Sequence, residues 1–413
     1  MAKVIGGIGS SHVPTIGVAY DKKRQNDPAW SPLFDGYAPV AKWLADQRPD
    51  VLLFFYNDHA NSFFFDCYPT FSIGASPEFD MADEGAGKRP LPSLKGHPAL
   101  AAHLADCLVN DEFDMAVFQD RALDHGVNSP LGLMWPHEPT WPGAILPVAI
   151  NVLQYPLPTP ARCYKLGKAV RRAIESFPED IKVAVVGTGG LSHQIHGERT
   201  GYNNTDWDEE FLRLIVDRPE ELARLRHADL IRLGGAESVE VIMWLAMRGA
   251  LADDIRCVHQ NHYLATTTNM AVAIYEEDGR QAPRRADLSA ARETSNPQLA
   301  GAEDIEGTYV FDVTSSVKAL RLNRFFWRHR EPAFRELANR DPHAAFAELQ
   351  LTEEERSLVE RHDWLGLVKY GVCFFVLEKF ARAQKTSNLE MYASMRGETL
   401  DEFLKTRRVP ESA

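Results

Sequence analysis

Residues Val183–His193 read VAVVGTGGLSH, an apolar run that passes through glycines into a histidine. Two other stretches repeat this arrangement: VIGGIGSSH at Val4–His12 and VLLFFYNDH at Val51–His59. Continuous apolar runs of this length predict strands that are buried on both faces, as in a parallel sheet. Such strands deliver functional side chains just past their carboxyl ends. We therefore expect the three histidines to meet at one edge of a sheet.

Helical periodicity separates the predicted strands. Apolar residues recur at helical spacing in two segments: Leu166, Val170 and Ile174, then Phe211, Leu212 and Ile215. A fourth strand is predicted over Ile145–Leu153, with Pro147 at an edge or a strand start. Alternating strands and helices predict an α/β fold with a central, mostly buried sheet flanked by helices.

The composition changes after Glu276, where the chain becomes polar and poor in large apolar residues as far as about Gly307. Beyond it the pattern is helical. Thr352 and Glu355 have the spacing of a capping box, Trp364–Phe380 is the most apolar helix candidate, and a final helix is predicted after Ser387. These features predict an α/β catalytic domain over residues 1–285, a linker over 286–314 and a small all-helical C-terminal domain over 315–413.

The composition also limits the class of protein. A net charge of -13 argues against nucleic acid or an anionic membrane as the main partner. The five cysteines are odd in number and form no CxxC pair, which is typical of a reducing compartment. The start of the chain lacks the pattern of a signal peptide, and charged residues interrupt Trp364–Phe380, which disfavours a membrane span. We therefore expect a cytoplasmic protein.

Two histidines and one carboxylate are candidates for a metal site. His12 and His59 follow predicted strands, and Glu240 precedes the apolar run Val241–Met247. A buried carboxylate is costly unless it is paired or bound to metal. Two imidazoles and one carboxylate on one face are typical of non-haem iron(II) oxygenases. Glu237, one turn earlier, is a rival acid, and the pattern alone does not choose between the two glutamates.

The remaining histidines need separate interpretation. His125 lies in ALDHG at 122–126, another stretch that leads into a histidine, whereas His196, His259 and His262 are more typical of structural residues. The glycine-rich turns resemble phosphate loops, but they lack the lysine and the glycine spacing of a nucleotide site. We expect these glycines to allow sharp turns beside the site.

Five motifs together resemble the class III extradiol ring-cleaving dioxygenases, specifically the protocatechuate 4,5-dioxygenase group. They are GIGSSHVP at 7–14, YNDH at 56–59, DHG at 124–126, GGLSHQ at 189–194 and GGAESVE at 234–240. The helical remainder, with RFFW at 324–327 and the segment 370–396, resembles the separate small subunit of that group. Large and small subunits in one chain, in this order, are similar to gallate-type members of the family.

The resemblance implies roles for individual residues. It makes His12, His59 and Glu240 the ligands of iron(II), which decides against Glu237. It makes His193 the acid–base residue, and His125 a second active-site histidine that hydrogen-bonds substrate or oxygen. It implies that Thr268 and Asn269 lie near the substrate carboxylate. It also implies that the small helical domain is a lid over the pocket, often that of a neighbouring protomer, which brings Tyr392 to the substrate.

The resemblance also implies a reaction. A small aromatic diol or triol carboxylate would be cleaved with dioxygen beside its hydroxyl groups; for gallate the product would be 4-oxalomesaconate. Protocatechuate and 3-O-methylgallate are alternative substrates. A homodimer and a place in the catabolism of lignin-derived or plant phenolics are further expectations. Two other functions stay open: a zinc hydrolase that uses the same ligands, and a non-catalytic relative, for which an acid–base histidine beside a metal is hard to explain.

Overall fold

The computed structural model describes residues 1–85, 87–135, 137, 140–196, 199–264, 266–277 and 307–405. The chain separates into two compact units, Met1–Pro297 and Gln298–Ala413. The predicted domain boundary at residue 285, and most of the predicted linker, lie outside the described residues. Each unit is therefore considered by itself.

A mixed eight-stranded sheet forms the centre of the first unit. The strands along the chain are β1 (Lys3–Ser10), β2 (Val51–Tyr56), β3 (Phe71–Gly74), β4 (Glu78–Phe79), β5 (Leu94–Lys95), β6 (Met115–Phe118), β7 (Ala144–Ile150), β8 (Lys182–Thr188), β9 (Ile255–Tyr263) and β10 (Met270–Glu277). Their order in the sheet is β6-β3-β7-β2-β8-β1-β10-β9, and β4 and β5 pair separately. Every residue of β2 and β7 is buried, as the apolar runs predict.

Helices cover this sheet. They are α1 (Pro14–Asp21), α2 (Ser31–Gln47), α3 (Pro98–Asn110), α4 (His125–Met134), α5 (Pro160–Ser176), α6 (Thr205–Asp217), α7 (Pro219–Arg224), α8 (His227–Gly234) and α9 (Val241–Gly249), with 3-10 turns at Arg24–Asn26 and Ala236–Glu240. The predicted apolar stripes of α5 and α6 are buried, and α5 packs against α9. The predicted α/β fold class is confirmed.

The carboxyl ends of β1, β2 and β8 lie side by side because these strands are parallel neighbours. Gly187 of β8 pairs with Gly9 of β1 on one side and with Phe55 of β2 on the other. The antiparallel β10 begins at this same edge, since its residue Val272 pairs with Ser10. We call this border the catalytic edge. The prediction that Pro147 marks an edge or a strand start is wrong, because Pro147 is the fourth residue of β7 and β7 lies between β3 and β2. The strand tolerates the proline since the ladder between β7 and β3 begins only at Val148.

The second unit is helical, as predicted. Its helices are α10 (Val313–Lys318), α11 (Leu320–Arg328), α12 (Pro332–Arg340), α13 (Pro342–Glu348), α14 (Glu353–Glu360), α15 (Trp364–Tyr370), α16 (Phe374–Ala383), α17 (Asn388–Met395) and α18 (Leu400–Lys405). The capping box of Thr352 and Glu355 opens α14 with both of its hydrogen bonds. Phenylalanines from several helices form the core; they include Phe325, Phe334 and Phe380.

Two predictions about this unit are wrong. The single helix predicted over Trp364–Phe380 is two helices, because Gly371 adopts a φ of 119° and ends α15 with a left-handed residue. The helix after Ser387 forms with its own capping box, but α18 follows it. Among the helices of the described residues, none combines the length and the apolar character that crossing a membrane requires.

Candidate active site

His12 lies two residues past the end of β1 and is only 2% exposed. Its Nδ1 is 3.1 Å from Thr188 Oγ1, while that hydroxyl donates to the carbonyl oxygen of Gly126 at 2.8 Å. Because the single hydroxyl proton of Thr188 is already used, His12 must donate from Nδ1. Its Nε2 therefore carries the lone pair. Burial lowers the pKa of His12, and Glu240 offsets this effect only in part, so the ring is neutral.

His59 follows β2 and is held by Asp124, a fully buried carboxylate. Asp124 Oδ2 accepts from the His59 backbone N–H at 2.6 Å and from Nδ1 at 3.0 Å, while Oδ1 accepts from the Gly126 N–H and caps α4. Nε2 lies 2.9 Å from Asn57 Nδ2. Burial opposes charge on both groups, but the attraction of Asp124 and Glu240 raises the pKa of His59 to about 10, and the attraction of His59 lowers the pKa of Asp124 to about 2. A metal ion that binds Nε2 would therefore displace a proton from it.

Glu240 ends the 3-10 turn before α9 and is 6% exposed. Its Oε2 lies 3.2 Å from His12 Nε2, and its Oε1 lies 3.6 Å from His59 Nε2. The backbone N–H of Gly190 donates to Oε2 at 2.9 Å. Burial would raise the pKa of Glu240, yet the facing histidines hold it well below the usual range. A glycine is needed at 189, because a Cβ there would lie 2.7 Å from the Glu240 carbonyl oxygen.

The rival acid Glu237 points elsewhere. Its carboxylate accepts from the backbone N–H of Ile195 at 2.9 Å and contacts His196 Nδ1 at 2.5 Å. Through these two contacts Glu237 holds the loop after His193 in place. The geometry places Glu240, and not Glu237, between the two strand-end histidines.

The three groups fit a small divalent transition-metal ion. Two ligand atoms about 2.1 Å from one ion and at right angles to each other are about 3 Å apart. The distances from Glu240 to His12 and His59 are 3.2 Å and 3.6 Å. His12 presents its Nε2 lone pair, and His59 presents one once a metal ion displaces its Nε2 proton. Each Nδ1–H has an acceptor that fixes the ring, as is typical of metal-binding histidines. Nitrogen atoms of His12, His59 and His125 also lie within 4.8 Å of one another, but only Glu240 supplies negative charge between the first two.

His193 stands beside this donor set. It is 5% exposed, and its Nδ1–H donates to the carbonyl oxygen of Leu191 at 2.7 Å. A carbonyl can only accept, so Nε2 is the nitrogen with the lone pair. It lies 3.9 Å from Glu240 Oε2. A base at this distance can take a proton from a group bound next to the carboxylate.

His125 is the first residue of α4, and its ring stacks on that of His59 with the centroids 3.8 Å apart. Glu84, from the loop after β4, accepts from the His125 backbone N–H at 3.1 Å and contacts Nδ1 at 2.5 Å. The carboxylate of Glu84 therefore sets both the position and the tautomer of the ring. The Glu84 side chain is 34% exposed. The group that holds His125 therefore lies nearer to solvent than the carbonyl that holds His193.

Thr268 and Asn269 are buried just before β10, at the catalytic edge. A Cβ placed on Gly190 would lie 2.7 Å from the Thr268 methyl group and 2.6 Å from the His193 ring, so these groups are close neighbours. Asn269 donates from Nδ2 to Asp208 Oδ2 at 2.8 Å. Its Oδ1 has no hydrogen-bond partner among the described residues.

Tyr392 belongs to the second compact unit. It lies on α17, and its ring centroid is 5.6 Å from that of Phe374. Of the weaker histidine candidates, His259 bonds the carbonyl oxygen of Gly36 at 2.7 Å, and His262 lies 3.9 Å from Glu209. Their contacts are those expected of structural residues.

Four supporting residues were not predicted: Thr188, Asp124, Glu84 and Asp208. Thr188 and Asp124 lie inside or beside motifs of the sequence, so their position next to histidines was a usable signal. Glu84 and Asp208 lie in segments without any such pattern. Only the fold brings them to the catalytic edge.

Comparison with known protein families assigns the two units of this chain to two family models. Residues 6–275 match the catalytic LigB subunit of aromatic ring-opening dioxygenase. Residues 322–408 match the LigA subunit of the aromatic-ring-opening dioxygenase LigAB. The first match contains all the site residues of the α/β unit, and the second lies within the helical unit.

Individual relatives agree with the family match. Gallate dioxygenase of Pseudomonas putida is 48% identical over 327 residues, covering 79% of this chain and 96% of that protein. A 2,3-dihydroxyphenylpropionate/2,3-dihydroxicinnamic acid 1,2-dioxygenase of Photorhabdus laumondii is 27% identical over 271 residues, covering 55% and 83%. Among solved structures, an uncharacterized Escherichia coli K12 protein gives a TM-score of 0.39 at 15% identity, covering 65% and 99%, which is too weak to carry an argument. The chain therefore belongs to the LigB family of aromatic ring-opening dioxygenases and carries a LigA-type domain in the same polypeptide.

Proposed function

We propose that this chain is a non-haem iron(II) extradiol dioxygenase that opens the ring of gallate with dioxygen to give 4-oxalomesaconate. The observation that carries the proposal is the cluster of His12, His59 and Glu240, with the lone pair of His193 facing the same carboxylate. The 48% identity to gallate dioxygenase of Pseudomonas putida supports gallate as the substrate.

In this proposal His12, His59 and Glu240 hold iron(II) and leave its other positions open. When bound, the metal would bring two neighbouring hydroxyl oxygens of the substrate and dioxygen together and pass electrons between them. With both imidazoles neutral in the metal-bound state, the three residues add one negative charge to the site. That charge favours a divalent ion, and the imidazole ligands favour a transition metal over magnesium or calcium.

His193 moves the proton. Its Nδ1–H is committed to the Leu191 carbonyl oxygen, so Nε2 accepts a proton from a substrate hydroxyl group. The resulting imidazolium returns the proton to the substrate as the bond between the two oxygen atoms breaks. Both atoms of dioxygen enter the product, and no other electron donor is needed. The bond that breaks in the ring lies beside the two hydroxyl groups, not between them.

His125 orients substrate or oxygen by a hydrogen bond at Nε2, while the Glu84 carboxylate accepts from its other nitrogen. His193 has only a carbonyl partner and acts as the base.

The remaining expectations are part of the same proposal. Thr268 and Asn269 contact the carboxylate end of the substrate, and the helical domain over 315–413 is a lid that presents Tyr392. We further propose a homodimer in the cytoplasm that serves the catabolism of lignin-derived phenolics. None of the five cysteines, all of which the structure describes, forms a disulfide, as expected in a reducing compartment.

The test is oxygen uptake by anaerobically purified, iron(II)-loaded protein given gallate, protocatechuate or 3-O-methylgallate in parallel. We expect rapid uptake with gallate, one dioxygen consumed per gallate and no hydrogen peroxide. Faster uptake with either of the other substrates would change the substrate but not the reaction. No uptake with any of them, at one iron per chain, would overturn the proposal, and hydrolytic activity with zinc would support the rival enzyme class.

A further inference from the structure

Asp208 is a buried carboxylate behind the catalytic edge that the proposed reaction does not use. It lies in the first turn of α6 and is 1% exposed. Among the described residues, no Lys, Arg or His nitrogen pairs with it directly. A buried acid without a cation partner is costly unless hydrogen bonds compensate for the lost water. Its position therefore requires a structural or functional reason.

Within the described part of the chain, the hydrogen bonds to the Asp208 carboxylate come from residues beside His193 or Thr268. Ser192 donates twice, from its N–H to Oδ1 at 2.8 Å and from its hydroxyl to Oδ2 at 2.5 Å. Asn269 Nδ2 donates to Oδ2 at 2.8 Å. Ser192 immediately precedes His193, and Asn269 immediately follows Thr268. One carboxylate thus joins the loop of the acid–base histidine to the proposed substrate-binding turn.

Each of the three hydrogen bonds to Asp208 requires an acceptor atom on the Asp208 side chain. The Ser192 hydroxyl oxygen already accepts from the Asn204 N–H at 2.8 Å, so its proton must go to Asp208. The other two groups are N–H donors. An ionised carboxylate is the side chain that offers only acceptors. In Asp208→Asn, the NH₂ group of the new side chain would face at least one of these donors. The substitution would therefore break the junction without changing the volume of the side chain.

Backbone bonds extend the junction. The Leu191 N–H donates to the Asn269 carbonyl oxygen, and the Asn269 N–H donates to that of Ser192, each at 3.3 Å. Asn203 Nδ2 reaches the carbonyl oxygens of both Ser192 and Thr267 at 2.9 Å. These long backbone bonds alone hold two loops weakly, whereas the charged bonds to Asp208 are short and strong.

We propose that Asp208 is a positioning residue that locks the His193 loop and the Thr268–Asn269 turn into one rigid unit, which keeps Nε2 of His193 within reach of the substrate hydroxyl. The inference rests on the proposed function for its effect on turnover. Its effect on the two loops is independent of any substrate.

The experiment compares Asp208→Asn with Glu277→Gln in the full-length protein. Glu277 is a matched control because it lies at the opposite end of β10 and holds that end through Arg171 and the Ala252 N–H. The milder variant Ser192→Ala removes only the hydrogen bond from the Ser192 hydroxyl group to Asp208. It replaces Asp208→Asn in the experiment if that variant does not fold. Iron content, thermal unfolding, kcat and KM for gallate are measured for each.

We expect Asp208→Asn to keep its iron, because no metal ligand bonds to Asp208. Its kcat should fall about 10- to 100-fold, the scale of a small misplacement of a reacting group, while KM changes less than about threefold. Ser192→Ala should show a smaller loss of the same kind, and Glu277→Gln should keep its kcat. An unchanged kcat in Asp208→Asn, or a loss equal to its loss of iron or of folded protein, would overturn the proposal.

Hydrogen–deuterium exchange supplies a readout without turnover. The amides of Leu191, Ser192 and Asn269 should exchange faster in Asp208→Asn than in wild type, and at the wild-type rate in Glu277→Gln. Unchanged exchange in Asp208→Asn would sink the positioning role. If wild-type protein consumed no oxygen with gallate while exchange changed as expected, the proposed function would fail and the positioning role would stand.

Discussion

The catalytic edge of the sheet and the core of the helical unit each bury a histidine in a similar way. His193 is 5% exposed and His329 is 2% exposed. Each donates from Nδ1 to a backbone carbonyl oxygen, that of Leu191 at 2.7 Å and that of Phe325 at 2.9 Å. They differ at Nε2. In His193 this nitrogen faces the Glu240 carboxylate, whereas in His329 it lies among phenylalanine rings and has no partner in the described part of the chain.

The difference shows that burial does not identify a functional histidine. What matters is the group that the free nitrogen faces. At the catalytic edge the lone pair of His193 faces the Glu240 carboxylate, whereas in the helical core the lone pair of His329 faces phenylalanine rings. The surroundings of His193 support proton transfer. His329 contributes apolar packing, at the cost of leaving its Nε2 without a hydrogen bond.

The strongest test removes the carboxylate that His193 faces. Glu240→Gln should lose most of its iron and at least about 10³-fold in activity, because metal binding and chemistry are lost together. Metal analysis and oxygen uptake measure the two effects. Glu237→Gln is the matched control, since that side chain bonds Ile195 and His196 instead. Wild-type iron content in Glu240→Gln would contradict the ligand assignment.

Replacing the two histidines in parallel tests the comparison directly. His193→Ala should keep its iron and lose about 10²- to 10⁴-fold in kcat, the usual contribution of a general acid–base group. His329→Leu should keep both its iron and its kcat. Steady-state oxygen uptake at saturating gallate measures kcat for both variants. Turnover that survives in His193→Ala would show that another group moves the proton.

A smaller effect is expected behind His59. Asp124→Asn weakens the bond that orients the ring and removes the charge opposite it, so iron affinity should fall about 10- to 100-fold. Competition with a chelator measures the affinity. The variant should recover activity when iron is supplied in excess; a variant that stays inactive at full iron occupancy would indicate a role in the reaction itself.

Glu84→Gln should have a weaker effect still. The side chain is partly exposed, so its bond to His125 is screened by solvent. We expect kcat to fall about tenfold or less, with unchanged iron content. Asp80→Asn serves as a control, because Asp80 lies on the same loop and pairs with Lys88. An equal loss in both variants would point to the loop as a whole.

The smallest predicted effect concerns stability. Burial lowers the pKa of His329 from 6.5, so the unfolded chain binds a proton more readily than the folded one. The resulting stabilisation is complete above about pH 6.5 and is lost as the pH falls below it, by at most about 1.4 kcal/mol per pH unit for one proton. Urea unfolding at pH 7.5 and 5.5 should show a smaller decrease for His329→Leu than for wild type. An identical decrease would mean that His329 titrates alike in both states.

Much of the catalytic edge was predictable because its information is local. Apolar runs predict strands, and a histidine just past each run predicts where side chains gather. The choice between Glu240 and Glu237 needed the family resemblance, since both occupy the same turn. In the structure, Glu240 is the one that faces His12 and His59.

The supports of the site were harder to predict because they act across the chain. Glu84 precedes His125 by 41 residues and Asp208 precedes Asn269 by 61, with no periodic pattern linking either pair. In the helical unit, hydropathy alone suggested one long helix over Trp364–Phe380. Gly371 was the available signal for the break, since a left-handed residue ends α15 there.

The order of strands has a consequence for how the protein is made. Among the described strands, β1 pairs with β8 and β10, whose first residues are Lys182 and Met270. At 5–20 residues per second, the ribosome needs roughly 10 to 50 s after β1 to deliver these partners. During that interval an apolar strand has no sheet to join. Among the strands of the described sheet, β1 therefore waits longest for a partner, and the catalytic edge is among the last features to be completed.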